Sequence, residues 1–316
     1  LDSLDTASGG MVSNYTGILK GDMCKSNVLQ SLEIGAPVEL TSIVRISSHK
    51  GQNSLFFDIN YIDNKNKIRE ELALTPEDKE RIAKITNHYD FLENIAGDIY
   101  DDFITGNDLA KQAIVLPCIG GTSLAGTVRG QMFTLLLGDP SSGKSALLQL
   151  TKLMRLHAKT QFVDGSIVSK AGLVSATVFD EILRSWIVYP GSLPLANDGL
   201  CLLDELDKIE PEEIVSINNA IESGEVYNTK VQKARFAART AIVAAANPKG
   251  GGNFDPFKDP IDQLTLPTST MTRCDFICLF RSPQDEDTLR KIMDRMLDKR
   301  KLTQQLETFE HLYGKK

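Results

Sequence analysis

The sequence has little of what marks several large classes of protein. No run of apolar residues approaches the roughly 18 that a membrane helix needs. The four histidines are scattered without metal-ligand spacing, and the five cysteines form no C-x-x-C pair. We therefore expect no membrane span, no disulfide framework and no zinc site in this chain of 316 residues.

An excess of positive charge is also absent, because 42 acidic residues against 35 Lys and Arg residues give a formal net charge of −7. This balance does not favour nucleic-acid binding by the chain as a whole, although a locally basic patch could still release counterions. Cysteines inside apolar runs are typical of buried thiols in a reducing compartment. We therefore expect an intracellular protein, in the cytoplasm of a prokaryote or the nucleus of a eukaryote.

What the chain does contain is a phosphate loop, Gly-Asp-Pro-Ser-Ser-Gly-Lys-Ser at residues 138–145. An apolar run at 132–137 predicts a buried strand before it, and a helical pattern follows it. The spacing G-x-x-x-x-G-K-[ST] between a strand and a helix predicts backbone N–H groups and a helix N-terminus around a phosphate. The alternative is an ordinary glycine turn.

A nucleoside triphosphate bound there would contact the whole loop. Lys144 is predicted to neutralise its β- and γ-phosphates, and the Ser145 hydroxyl to bind Mg²⁺. GTP is disfavoured because no N-K-x-D motif follows, so the expected cofactors are ATP and Mg²⁺. The predicted nucleotide-binding residues are Gly138, Asp139, Pro140, Ser141, Ser142, Gly143, Lys144, Ser145 and Asp204.

A second apolar strand, at 200–203, ends in the carboxylates of Asp204 and Glu205. Asp204 is predicted to hold Mg²⁺ through its water shell, and Glu205 to orient and deprotonate the attacking water. Taken alone, such a run followed by two acids is common where a strand enters a helix.

Two further polar residues stand at the boundaries of apolar strands. Asn247 follows one and is predicted to lie beside Glu205, near the γ-phosphate, although an asparagine that starts a turn is the alternative. Arg273 precedes another and could stabilise transition-state charge, in cis or from a neighbouring subunit. Its alternative is a surface pair with Asp275.

Short apolar strands alternate with helices, which predicts an α/β fold with a parallel sheet covered on both faces. Before it, residues 15–63 are β-rich, and 64–100 are interpreted as a charged helical linker with Thr75 capping a helix that begins at Pro76. Strands are expected at 132–137, 200–203, 241–246 and 276–280, and helices at 107–116, 144–158, 211–222 and 284–299.

A basic segment, residues 228–239, carries Lys230, Lys233, Arg235 and Arg239 and no acid. Four positive groups on a strand–turn–strand could grip phosphates without reading base sequence. On the residues alone, a solvated hairpin or arginines that serve a subunit interface is favoured.

Together these motifs resemble the minichromosome maintenance (MCM) family of replicative helicases, within the AAA+ ATPases. The matching segments are the phosphate loop, 198–208 (Walker B), 244–251 (sensor 1), 272–275 (arginine-finger motif), 99–111 (first core helix), and 17–22 with 35–40 (end of an OB-fold). The resemblance implies an AAA+ P-loop ATPase core, a parallel sheet flanked by helices, preceded by a partial OB-like β segment and a helical linker. We expect the OB-like part at 1–63, the linker at 64–100, the core at 101–285, and a C-terminal helix at 286–316 leading to a missing lid.

The resemblance implies an ATP-dependent DNA helicase or translocase subunit of a homo- or hetero-oligomeric ring, usually a hexamer, in DNA replication. Arg273 would act on the adjacent subunit's nucleotide, and Lys144, Ser145, Asp204, Glu205 and Asn247 in cis. Two insertions would face DNA: the helix-2 insert at 164–173 and the pre-sensor 1 hairpin at 225–240. The predicted DNA contacts are Lys230 first, then Lys233, with Arg235 and Lys170.

The chain departs from the family pattern at several places: Cys274 replaces a phenylalanine, Ser223-Gly224 replaces a Gln-Gln pair, and the zinc-binding insertion has no counterpart. Two other functions stay open. One is a helix-2-insert ATPase that remodels proteins or acts as a chelatase, which would not need the basic hairpin. The other is a slow-turnover ring component that binds nucleotide and DNA, against which the retained site residues argue.

Overall fold

The structure is a computed structural model, and it describes residues 16–24, 38–49, 52–64, 75–121, 129–154, 156–157, 159–180, 185–228, 234–255, 257–259 and 261–280. The chain divides into two compact units. One comprises residues 1–79 with 177–187, and the other comprises residues 80–176 with 188–316. The nucleotide motifs of the sequence all lie in the second unit.

The first unit contains a three-stranded sheet in the order β1-β3-β2. Its strands are β1 (Thr16–Leu19), β2 (Val38–His49) and β3 (Gln52–Asn64). β2 and β3 are antiparallel, whereas β1 runs parallel to β3. The buried carboxylate of Asp58 accepts hydrogen bonds from Lys20 and Arg45, at 3.0 and 2.9 Å. The β-rich character predicted for this segment is confirmed over these strands.

Three helices follow in chain order: α1 (Pro76–Thr86), α2 (Phe91–Tyr100) and α3 (Asp108–Ile119). The predicted cap of α1 is confirmed, because the Thr75 hydroxyl accepts a hydrogen bond from the Asp78 N–H and the Asp78 carboxylate accepts one from the Thr75 N–H, both at 3.1 Å. The segment interpreted as a helical linker is interrupted between α1 and α2, at residues 87–90.

The second unit is built on a five-stranded parallel sheet in the order β12-β4-β11-β8-β5. Its strands are β4 (Phe133–Gly138), β5 (Thr160–Asp164), β8 (Leu200–Asp204), β11 (Ala241–Ala246) and β12 (Phe276–Phe280). The second unit also contains a hairpin of β9 (Glu225–Asn228) with β10 (Ala234–Ala237), whereas the hairpin of β6 (Ser175–Asp180) with β7 (Ser185–Pro190) is divided between the two units. Because the five strands are parallel, their carboxyl ends meet at one edge.

Alternate side chains of β4 enter two different hydrophobic clusters. Leu135 and Leu137 belong to one cluster, and Leu136 belongs to the other with Leu147, from the helix that follows the phosphate loop. The sheet is therefore covered on both faces, as predicted. The remaining helices of the described part are α4 (Lys144–Leu153), α5 (Lys170–Leu173), α6 (Ser192–Leu195), α7 (Pro211–Ser223) and α8 (Thr268–Met271).

The predicted strands and α7 are confirmed within one or two residues. The helix expected at 144–158 ends at Leu153 in the structure, and the helix expected at 284–299 lies outside the described residues. β5 and the β6–β7 hairpin are elements that the sequence did not predict. Across the described part of the chain, no helix has the length and apolar character to span a bilayer.

Candidate active site

The phosphate loop joins β4 to α4 at the carboxyl edge of the sheet. A Cβ on Gly138 would lie 2.1 Å from the Phe280 carbonyl oxygen, so only glycine fits between β4 and the end of β12. The next N–H, of Asp139, donates to that same carbonyl at 3.1 Å. Gly143 has φ 96° at the start of α4, a conformation that glycine adopts without steric cost. The loop is thus held by the sheet on one side and by a helix on the other.

The Lys144 side chain is buried and lies across its own loop. Its ammonium group donates to the carbonyl oxygens of Gly138 and Asp139 at 2.8 and 2.7 Å, and to the Ser142 hydroxyl at 3.2 Å. Burial lowers the pKa of Lys144, while the nearby carboxylates of Asp139, Asp204 and Asp207 oppose that shift. The ammonium charge is therefore held by neutral oxygens of the loop, which a phosphate could replace.

Ser145 and Asp204 are 59 positions apart in sequence and in contact in the fold. The Ser145 hydroxyl donates to Asp204 Oδ1 at 3.1 Å, and the same oxygen accepts the Glu205 N–H at 3.0 Å. Within the described residues, no group of three or more His, Cys, Asp or Glu side chains is arranged to hold a metal ion. One hydroxyl and one carboxylate fit Mg²⁺, which takes most of its ligands from water and phosphate oxygens.

Glu205 follows β8 in a left-handed conformation, with φ 52°. The backbone of the turn after β5 lies close against it: a Cβ on Gly165 would be 2.3 Å from the Glu205 carbonyl oxygen and 2.9 Å from that of Asp204. Gly165 N–H also donates to the Asp204 carbonyl at 2.8 Å. A non-glycine residue held at positive φ by its surroundings is common at functional sites.

Asn247 follows β11 at the same edge of the sheet. Its N–H donates to Asp207 Oδ1 at 2.9 Å. Since Asp207 lies in the turn that begins at Glu205, this bond ties Asn247 to that turn. Asp139 makes a comparable tie, because its carboxylate accepts the Phe254 N–H at 2.8 Å from the loop beyond Asn247. Sequence reasoning assigned no role to Asp207 and treated Asp139 only as a loop residue. We call residues 138–145, 204, 205 and 247 the nucleotide edge.

Arg273 lies at the opposite edge of the sheet. Arg273 comes just before β12. The first residue of β12, Phe276, pairs with Thr134, and the last, Phe280, pairs with Gly138 of the phosphate loop. Four residue steps of about 3.3 Å separate those two edges by about 13 Å. Among the predicted site residues, the structure therefore brings the nucleotide edge together and leaves Arg273 apart from it.

The Arg273 guanidinium is paired within the chain, but not with Asp275. It donates to the Glu222 carboxylate and to the Ser269 carbonyl, while its Nε is buried and has no hydrogen-bond partner. Asp275 instead binds Arg129. The pairing that the sequence suggested as the alternative for Arg273 is therefore wrong.

The β9–β10 hairpin carries its described basic groups in ion pairs. Arg235 donates through two nitrogens to the Glu225 carboxylate, which also accepts the Tyr227 hydroxyl at 2.6 Å. At its base, Arg239 makes two 3.0 Å bonds to Asp198. Lys230 and Lys233 lie outside the described residues. Lys170, the last of the four predicted DNA contacts, is half-buried. It occupies the first position of α5, after the capping residue Ser169.

Comparison with known proteins identifies relatives of this chain. A family model described as the MCM P-loop domain matches residues 78–300. The chain is 32% identical over 224 residues to the zygotic DNA replication licensing factor mcm6 of Xenopus tropicalis, covering 69% of this chain and 27% of that protein. It is 31% identical over 245 residues to the DNA replication licensing factor MCM2 of Arabidopsis thaliana, covering 76% and 25% respectively. The chain thus matches about a quarter of the length of these relatives.

Proposed function

The chain belongs to the minichromosome maintenance (MCM) family, and we propose that it is the ATP-hydrolysing part of a DNA helicase subunit that works in a ring during DNA replication. Its α/β fold is that of an AAA+ P-loop core, as the sequence predicted. The contact between Ser145 and Asp204, at 3.1 Å, carries the proposal, because it joins the phosphate loop to the carboxylate pair. The relatives, which are DNA replication licensing factors, support the cellular role.

Within one subunit, we assign the nucleotide edge three tasks. The Lys144 ammonium exchanges its bonds to loop oxygens for bonds to the β- and γ-phosphates. Glu205 orients the attacking water and takes its proton, and Asn247 aligns that water from the neighbouring strand. When bound, Mg²⁺ held by Ser145 and Asp204 would neutralise charge on the phosphate oxygens.

Arg273 completes the site of the next subunit. The two edges of the sheet are about 13 Å apart along β12, so Arg273 is remote from the phosphate loop of its own chain. Its pair with Glu222 is no obstacle, because the Glu222 side chain is 55% exposed and such surface pairs contribute about 0.2–1 kcal/mol. An arginine that stabilises a phosphoryl-transfer transition state accelerates it roughly 10³- to 10⁵-fold, equivalent to about 4–7 kcal/mol. Since the second free energy is several times the first, Arg273 can leave Glu222 for a phosphate of the neighbour.

We assign DNA binding to the hairpin, with Lys230 and Lys233 as its contacts, and Arg235 and Lys170 in support. Positive side chains that touch only phosphates suit a translocating ring, since they bind without reading base sequence. The OB-like segment at 1–63, the linker at 64–100 and the ATPase core at 101–285 remain our proposal for the domain organisation. The protein-remodelling alternative would leave this basic segment without a task.

The mixing of two inactive variants tests the shared site. Lys144→Ala removes the phosphate-binding amine and keeps Arg273, whereas Arg273→Ala does the reverse. If each chooses its neighbour at random in a ring, about a quarter of interfaces, one half times one half, pair an intact Lys144 with an intact Arg273. We expect ATPase activity to return on mixing, to about that fraction of wild type. Absence of recovery, with mixed rings visible by sedimentation, would contradict action in trans.

DNA unwinding is tested separately, with a forked duplex in a strand-separation assay on the full-length protein. The wild type is expected to separate strands with ATP, and Glu205→Gln to bind ATP and DNA without separating them. Strand separation by Glu205→Gln at the wild-type rate would sink the assignment of Glu205. ATP hydrolysis without any response to DNA would count against the helicase and favour another use of the ring.

A further inference from the structure

Arg129 holds the segment that carries Arg273. One of its guanidinium nitrogens donates to the main-chain carbonyl oxygen of Arg273 at 2.7 Å and to both carboxylate oxygens of Asp275 at 3.0 Å. Asp275 in turn accepts the Phe133 N–H at 2.8 Å, and its own N–H donates to the Phe133 carbonyl at 2.8 Å. The backbone at 273–275 is thus fastened to the first residue of β4.

The contacts of Arg129 contribute little to the stability of the sheet. β4 and β12 already pair over five register positions, from Thr134 with Phe276 to Gly138 with Phe280. The side chains of Arg129 and Asp275 are 30% and 35% exposed, and ion pairs of that exposure contribute little to stability. The bond from Arg129 to the carbonyl of Arg273 has a different consequence, because it restrains the backbone from which the guanidinium projects.

We propose that Arg129 is a positioning residue for Arg273: by bridging the Arg273 carbonyl and the Asp275 carboxylate, it sets the arginine that the subunit presents to its neighbour's nucleotide. This assignment rests on the proposed action of Arg273 in trans. The Arg273 side chain is held at its far end by Glu222 and Ser269, and Arg129 holds the other end at the main chain.

The arrangement also gives β4 two tasks. Its carboxyl end leads into the phosphate loop of the subunit's own site, and its amino end anchors the arginine offered to the next site. A shift of the phosphate loop along β4 would therefore be transmitted to Arg273 through Arg129 and Asp275. A neutral residue at 129 would leave the sheet paired and the Phe133–Asp275 bonds in place, and would remove the hold on the Arg273 carbonyl.

The test uses mixed rings of the full-length protein and asks in which role a subunit fails. As a donor of Arg273, Lys144→Ala/Arg129→Ala is mixed with Arg273→Ala, and recovered ATPase is compared with that of the Lys144→Ala donor. Since a misplaced catalytic group costs up to roughly 10²-fold, we expect a roughly 10- to 100-fold smaller recovery. In the acceptor role, Arg129→Ala/Arg273→Ala is mixed with Lys144→Ala. The recovered ATPase should equal that of the parental pair, Arg273→Ala mixed with Lys144→Ala.

Two further variants separate positioning from general damage. Arg129→Lys keeps the charge but replaces the planar guanidinium with a strongly hydrated ammonium group on a flexible stem, so an intermediate recovery is expected. Lys144→Ala/Arg45→Ala is the matched control, because Arg45 makes a 2.9 Å pair with Asp58 in the other unit. It should donate as well as Lys144→Ala. Nucleotide affinity of the Arg129→Ala single variant should match wild type within about twofold.

Each result of the mixing experiments either supports or overturns the role of Arg129. Full recovery with the Arg129→Ala donor would overturn the assignment, as would equal loss in the donor and acceptor roles, since that pattern indicates a folding defect. If the parents Lys144→Ala and Arg273→Ala show no recovery before any change at Arg129, the trans action fails and the role of Arg129 fails with it. A donor defect with intact parental recovery supports both.

Discussion

At the nucleotide edge, charged side chains are bonded to neutral partners, whereas on the β9–β10 hairpin each described basic group is paired with an acid of the same chain. Lys144 lies over loop oxygens, and Ser145 meets Asp204. Arg235 is held by Glu225, and Arg239 by Asp198. The first arrangement rests on buried strands and the second on an exposed ribbon.

The difference concerns what each region has to do. A site that stabilises a transition state needs donors fixed before the reaction, and β4, β8 and β11 supply that rigidity from the core. A surface that grips moving phosphates needs charge that can change partners. Changes in the first region should therefore affect turnover steeply, and changes in the second should act gradually through affinity and salt dependence.

Within the nucleotide edge, the largest effect is expected at Lys144. Lys144→Ala removes the ammonium group that stands over the phosphate loop, and the loss of one such preorganised donor costs roughly 10²- to 10³-fold in turnover. Steady-state ATPase rates measure it, and Lys152→Ala is the matched control, because that lysine is exposed on the same helix. Comparable loss in both variants would show that α4, rather than the amine, limits the reaction.

A smaller effect is expected from Gly165→Ala, which tests the rigidity of the same edge without touching a charged group. The added Cβ would lie 2.3 Å from the Glu205 carbonyl, so the backbone at Glu205 must shift. We expect ATPase to fall roughly 10- to 100-fold, with a destabilisation of about 1–3 kcal/mol. Turnover and thermal unfolding are measured together.

Gly172→Ala is the control for that change. Its Cβ would meet only Val168, at an ordinary 3.4 Å, and the position is helical, where alanine is favoured over glycine by up to about 1 kcal/mol. Activity and stability should stay near wild type. If Gly172→Ala reduced turnover as much as Gly165→Ala, the close approach to Glu205 would not be the cause.

The sequence predicted the central strands well because a buried parallel strand is a continuous apolar run, as at β4, β8 and β11. β5 was missed because only Phe162 and Val163 interrupt its polar residues. The long-range contacts were not predictable: nothing local connects Arg129 to Arg273, 144 positions away, or Asp139 to Phe254. Motif spacing identified Lys144, Asp204 and Glu205, but charge counting on the hairpin did not foresee that Arg235 has an acidic partner on the neighbouring strand.

On the hairpin, the expected effect is one of affinity. Lys230→Ala/Lys233→Ala should weaken DNA binding and reduce the slope of log K against log [salt] by about 1.4 for single strands, at roughly 0.7 for each lost phosphate contact. Fluorescence anisotropy at several salt concentrations measures both quantities. An unchanged slope would exclude these lysines from the contact, even if the affinity fell for another reason.

The smallest effect concerns Arg235, whose side chain is 67% exposed yet bonded to Glu225. The hydrogen bond from Arg235 holds the pKa of Glu225 below its ordinary value, with Tyr227 adding to the shift, so the pair breaks only as pH falls below the usual carboxyl range. Arg235→Ala should therefore change DNA affinity less than loss of either lysine.

Glu225→Gln tests whether the pairing with Glu225 limits the contribution of Arg235. The variant removes the acid and leaves the guanidinium available to a phosphate. DNA affinity should rise severalfold, with the salt slope increasing by about 0.7, and Glu225→Gln/Arg235→Ala should lose that gain. A gain that persisted in the double variant would mean that repulsion by Glu225, rather than its hold on Arg235, limits binding. The hairpin would then work through its net charge alone, and the contrast with the fixed charges of the nucleotide edge would be larger still.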